Sequence, residues 1–226
     1  MSHTTSLRRH LGGLTLGALL LGPSLAAAED AAYEAPVHNG CVLEAYTQCP
    51  GADLAGADLA NLELHGADFS GADLTGADLR HANLRGVNLE GADLRGANLN
   101  RARMINANLR GADLGQASLV GLESWNLFGQ GAIFDGADLT GANLEFGRLT
   151  KASFRDATLH GAKLEMAWMN RTDMRGADLR DANLQEAKLS MSRLDHADLS
   201  GARLHYGNFQ LVQMQGCTAC PVDWMD

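Results

Sequence analysis

Aromatic side chains make up only 5% of this 226-residue chain. An aromatic core is excluded, and with 46% hydrophobic residues the interior must rest on Leu and Ala. Positive charge is scarce as well: 18 Lys and Arg stand against 27 Asp and Glu, a net charge of −9. A chain so acidic gains nothing from neutralising phosphates, which argues against direct nucleic-acid binding and favours solubility and cationic partners. No long apolar run is present. The stretch Leu11 to Gly22, LGGLTLGALLLG, holds about 12 residues where a membrane-spanning helix needs ~20. GxSxG, HExxH and P-loop motifs are missing, as is a GxGxxG following a strand. No enzyme chemistry, cofactor site or metal site is read from the chain.

That short apolar run instead has the layout of an export signal. Arg8 and Arg9 precede it, and Ala26-Ala27-Ala28 offers small residues for cleavage before Glu29. Residues 1–28 are therefore expected to be removed, placing the mature chain in the periplasm or outside the cell. Their loss would take away two positive charges and leave −11. Four cysteines remain, Cys41, Cys49, Cys217 and Cys220, and an even number in an exported chain points to disulfides.

From Gly51 to Gln215 the sequence falls into 33 five-residue units, beginning GADLA, GADLA, NLELH, GADFS. The fourth position, the centre, is Leu in 23 units, Phe in four and Met in four; only Ser124 and Gly129 depart. Two residues earlier Ala occurs in 24 of the 33, and neither position ever carries a charge. On an α-helix, five residues rotate the chain by about 500°, so successive centres would spiral without forming a stripe. On a flat strand, an odd step would send them to alternate faces. A chain that turns a corner every five residues keeps them all inside. Large Leu beside small Ala then fills a narrow tube, and frequent Gly suits the corners. This is the pattern of a solenoid whose coils pair above and below.

The A(D/N)LxG unit resembles the pentapeptide-repeat family over residues 51–215. The resemblance implies an all-β fold, a right-handed quadrilateral β-helix with four units per coil, and hence about eight coils. Such a rod would be roughly 40 Å long. Residues 29–50 and 216–226 are then expected to cap its open ends. With the cysteine pairs at opposite ends, only Cys41–Cys49 and Cys217–Cys220 lie within disulfide reach of about 7 Å. A four-cysteine zinc site fails on the same distance. A redox role for Cys217-Thr218-Ala219-Cys220 lacks the helix N-terminus it would need.

One segment breaks the pattern. In GLESWNLFGQ, residues 121–130, the centres are Ser124 and Gly129. Either Leu122 and Leu127 plug the interior of a distorted coil, or the segment bulges outward. Trp125 and Phe128 are the candidate protein contacts, with packing against neighbouring side chains as the plainer alternative. Asp53, Asp73, Asp93 and Asp113 recur every 20 residues, as do Asp58 and Asp78, so the implied coil stacks them in ladders. Arg80, Arg85, Arg95 and Arg110 stand ready to offset the repulsion. His65, His81, His160, His196 and His205 occupy outward positions of separate units.

Taken together, the sequence points to a non-enzymatic scaffold of the cell envelope, presenting walls to a protein or an envelope polymer. Some members of the family it resembles are acidic rods that mimic DNA and bind gyrase, which is the alternative. An export signal opposes it, since gyrase is cytoplasmic. The C-terminal cap could also join two copies into a homodimer.

Overall fold

Residues 34–221 are described by the structure, a computed structural model. The expected export segment 1–28 and the last cap residues, including Trp224, lie outside them.

The five backbone amides of a single unit account for the architecture. The Asp93 amide donates back to Ala72 O (2.9 Å) in the preceding coil, and the Leu94 amide forward to Asp113 O (2.7 Å) in the next. The Arg95 amide donates to the Asp93 carboxylate (3.1 Å). The Gly96 amide reaches Gly115 O (3.0 Å), and the Ala97 amide closes a tight turn onto Leu94 O (3.0 Å). No amide of the unit is left unpaired, which is what a buried-backbone fold requires.

That last turn is type II, whose third residue needs positive φ. Every fifth residue from Tyr46 to Gly216 has it. Gly96 (φ 65°) takes it without strain, whereas Phe146 (φ 60°) and Met166 (φ 55°) must be held there by the coil. Non-Gly corners dominate after Phe146, so the C-terminal half carries more backbone strain than the N-terminal half.

Four such corners bring the chain back on itself. Parallel bridges join residues 20 apart in an unbroken series from Gln48–Asp68 to Asp198–Thr218. Four walls result. Wall one begins with residues 52–55, wall two with 57–60, wall three with 62–65 and wall four with 67–70, each recurring every 20 residues. Leu, Met and Phe centres point inward together with the Ala two residues before them; Leu54, Leu94 and Leu159 are wholly buried. Phe134 and Phe154 stack inside wall one with ring centroids 4.7 Å apart.

Residues 121–130 correct one expectation of the sequence, for they are not irregular. Arg103–Glu123–Asn143 and Asn108–Phe128–Arg148 remain in the bridge series, and Asn126 keeps the corner conformation (φ 58°). The coil survives because large and small exchange places. Leu122 and Leu127 fill the interior from the Ala position, while Ser124 is wholly buried and donates its hydroxyl to Asn143 O (2.8 Å). A Cβ on Gly129 would lie 3.8 Å from Leu127 Cδ2 and 2.9 Å from Leu149 Cδ2, so these leucines occupy the room its side chain would take.

The helix also reaches further into its ends than the sequence boundaries at 50–51 and 215–216 suggest. Tyr46 (φ 61°) forms the first corner and Cys49 stands at a centre position, its amide bonded to Asp68 O (2.8 Å). At the other end Gly216 forms a corner and Thr218 bridges to Asp198. Before the first coil, β1 (Val37–His38) and β2 (Cys41–Val42) make an antiparallel hairpin. Its two-residue turn, Asn39-Gly40, has positive φ at both positions, the conformation for which that dipeptide is favoured.

Candidate functional site

The carboxylate ladders come first, as the densest titratable chemistry. Asp53, Asp73, Asp93 and Asp113 are consecutive bridge partners on wall one, and Asp58 and Asp78 on wall two. Each occupies the position before a centre, where its Oδ1 accepts the amide two residues on: Ala55, Thr75, Arg95 and Gly115 on wall one, Ala60 and Arg80 on wall two. Asp or Asn is thus used at this position to satisfy a backbone donor that no carbonyl can reach. Where the residue there is Ser or Gln, a neighbour substitutes. Val120 donates to Asn100 Oδ1 (2.8 Å), Arg155 to Asp135 Oδ1 (3.0 Å) and Gln215 to Asp195 Oδ1 (3.1 Å), each acceptor lying one coil earlier.

Arginines complete these rows. Arg80 clasps Asp78 through Nε (2.8 Å) and Nη2 (2.5 Å), and Arg95, Arg175 and Arg180 do the same for Asp93, Asp173 and Asp178. Those hydrogen bonds hold the four carboxyls below the ordinary range. Asp68, which has no arginine, is lowered first by the Ser70 amide and then by its hydroxyl. At Asp135 burial pushes upward, and the hydrogen bonds from Arg155 and Ser153 outweigh it. These are acids stabilised in their ionised form. They suit neither proton donation nor general-base work, which needs a carboxyl raised toward neutrality.

Two arginines assigned to the ladders from sequence belong elsewhere. Arg85 lies on wall three, beside Asn83 and Ile105, in an open depression of about 530 Å³ next to Tyr46 and His65. Arg110 lies on wall four, its guanidinium carbon 5.1 Å from the centre of the Phe128 ring.

The proposed contact residues flank the corner at Asn126. Trp125 is 44% exposed at the end of wall three, and Phe128 is half-buried at the start of wall four. Arg148, one coil on, stacks on the same Phe128 ring at 4.9 Å, so guanidinium groups from the coils before and after flank it. Among the histidines, His65 packs edge-on to Tyr46 (5.0 Å) with Nδ1 3.6 Å from Glu63, and His160 Nδ1 lies 3.8 Å from Asp181. Among the described residues, no group of three His, Cys, Asp or Glu side chains is placed to hold a metal. Cys41 joins Cys49 and Cys217 joins Cys220, each pair with Cα atoms 5.8 Å apart.

Open amides occur on the other walls too, at Ile105, Trp125 and Glu165 among others, but wall four gathers four of them in a consecutive run that the sequence reading missed. Its column before the centres reads Asp68, Asn88, Asn108, Phe128, Arg148, Trp168, Lys188, Asn208. From Phe128 to Lys188 no side chain there can accept the amide two residues on. Gln130, Thr150, Asn170 and Ser190 accordingly keep backbone N–H groups bonded to no other protein group. The signal lay in the sequence, at a spacing of 20 residues, but only the coil turns that spacing into a column.

The pentapeptide-repeat model matches eight copies, over residues 47–86, 82–121, 132–176 and 177–216. The chain belongs to the pentapeptide-repeat family. Among solved structures, a trypsin-treated variant of QnrB1, a plasmid-mediated fluoroquinolone resistance protein, is 22% identical, with 76% of this chain and 88% of that one covered and a TM-score of 0.58. HetL of the cyanobacterium Nostoc sp., a pentapeptide repeat protein involved in heterocyst differentiation regulation, is 29% identical over 72% of this chain and 85% of its own, with a TM-score of 0.39. Membership and the QnrB1 likeness imply a right-handed β-helix, in agreement with the parallel bridge series. No curated protein sequence gives a significant match.

Proposed function

We propose that this pentapeptide-repeat protein is a non-enzymatic interaction scaffold of the cell envelope. In this reading it is a rigid rod of about eight coils, disulfide-capped at both ends, which offers flat walls to a partner. One observation supports it above others: Asp78, Asp93, Asp173 and Asp178 are held ionised by backbone amides and arginines within the fold, as buttresses of the walls. Stability of the walls therefore takes the place of chemistry. Export and the oxidising compartment that suits Cys41–Cys49 and Cys217–Cys220 belong to the same proposal.

The test is fractionation of cells producing the full chain, followed by N-terminal sequencing, thiol titration and cross-linked capture. A mature chain starting near Glu29, without free thiols and with a captured envelope component, is expected. An intact chain in the cytoplasm, recovered with gyrase, would replace this reading with the DNA-mimicking one. Acidic ladders such as Asp53–Asp113 favour that second reading, and the arginines clasping them weaken it by neutralising the row.

A further inference from the structure

Charge is distributed unevenly around the rod. From Arg110 onward, wall four and the corner that follows it carry Arg110, Arg148, Lys151, Arg171 and Lys188, and neither Asp nor Glu. Over the same coils wall one and the corner that follows it carry Asp113, Asp135, Asp156, Asp173 and Asp195, with Arg155, Arg175 and Arg193 paired to three of them. The five cations are exposed. Among the described residues none of the five forms an ion pair with an acid, although Asp173 lies two residues after Arg171 and Glu186 two before Lys188. Three of them lean on rings instead: Arg110 and Arg148 on Phe128, and Lys188 on Trp168 at 4.4 Å.

The same stretch holds the four open amides of Gln130, Thr150, Asn170 and Ser190. On walls one and two, such an amide and a nearby guanidinium are bridged by one carboxylate, as Asp78 bridges the Arg80 amide (3.1 Å) and its Nε (2.8 Å). Elsewhere the carboxylate is missing at separate coils, as at Asp135, His160 and Glu165, whereas on wall four it is gone from four consecutive coils while the amides and the cations remain. The vacancy repeats coil by coil, at the ~4.8 Å spacing of paired strands. A ligand that fills it must bring carboxylates in a row.

We infer that wall four, from Arg110 to Lys188, binds a linear polysaccharide bearing carboxylates. Its acidic groups take the place that Asp fills elsewhere, each accepting from an open amide and a neighbouring cation. The half-exposed side chains of Thr150, Asn170 and Ser190 stand beside them to meet sugar hydroxyls. Single-stranded nucleic acid fits less well, because base stacking needs open aromatic faces and cations already flank the Phe128 ring. This inference deepens the scaffold reading and rests on it. Capture of a partner through another wall would remove this inference alone, while no partner of any kind would remove both.

The experiment is calorimetric titration of the full chain with polygalacturonate oligomers, with neutral dextran and oligo(dT) as the other arms. Binding of polygalacturonate alone is expected, weakening as salt is raised. The double substitution Arg148→Asp and Lys188→Asp restores the repeat consensus, so it should melt no lower than the parent while affinity falls at least tenfold. Arg80→Gln with Arg180→Gln, which removes the same number of cations from wall two, should leave affinity within twofold. Equal loss from both pairs would overturn the inference, as would binding of dextran, tighter binding of oligo(dT), or no binding of polygalacturonate at low salt.

Discussion

Leu122 and Ser124 provide a sharp test of how this interior is filled. In the common unit a small Ala precedes a large Leu; here Leu122 and Ser124 reverse the order, and both are buried. Leu122→Ala removes three buried carbons beside an already small Ser, which costs about 2.4 kcal/mol in transfer and 2–5 kcal/mol once the cavity is included. Ser124→Leu alone crowds two leucines into one layer, at about 1–3 kcal/mol. It also removes the hydroxyl bond to Asn143 O, worth about 1 kcal/mol; that carbonyl still accepts the Ser124 amide (2.9 Å) and is not orphaned. Added independently, the two changes come to about 4–9 kcal/mol. The double substitution restores the Ala-then-Leu order and should lie within about 1.5 kcal/mol of the parent, leaving a coupling of at least ~2 kcal/mol. Urea denaturation of the four proteins, with the slope checked for constancy, measures this. A double variant as unstable as the sum of the singles would refute the idea that Leu122 fills the space of a missing centre.

Two further outcomes follow from the Asp rows. Asp93→Asn keeps an acceptor for the Arg95 amide and should change stability by less than about 0.5 kcal/mol, whereas Asp93→Ala orphans that amide and releases Arg95, costing about 1 kcal/mol in the same denaturation assay. The lowered carboxyls of Asp78, Asp93, Asp173 and Asp178 mean that the unfolded chain takes up protons first on acidification. Thermal midpoints should therefore hold level down to about pH 4 and fall below it, since a depressed folded value stabilises only above the unfolded one. A midpoint that rises between about pH 4 and pH 2 would contradict the pairing.

The inward and outward positions were legible from the repeat alone, because no other backbone keeps a five-residue period on one side. Fates at the irregular places were not. Residues 121–130 looked like a break, since position by position Ser124 and Gly129 fail the pattern; only packing reveals that Leu122 and Leu127 compensate from two residues before. The hairpin at Val37–Val42 could have been suspected from Asn39-Gly40, yet its strands are too short to carry an alternating signal. Arg110 looked like a partner for aspartate because sequence proximity was the only guide available.

By itself the sequence determined the repeat, the identity of the buried residues and the family, because a period this strict admits few backbones. The Asp ladders followed from the family's four-unit coil, but tertiary structure decided how the remaining outward residues pair on each wall. Residues 20 apart become neighbours only after four corners have closed a coil, and that closure separates the arginine-paired acids of wall one from the acid-free cations and the consecutive open amides of wall four.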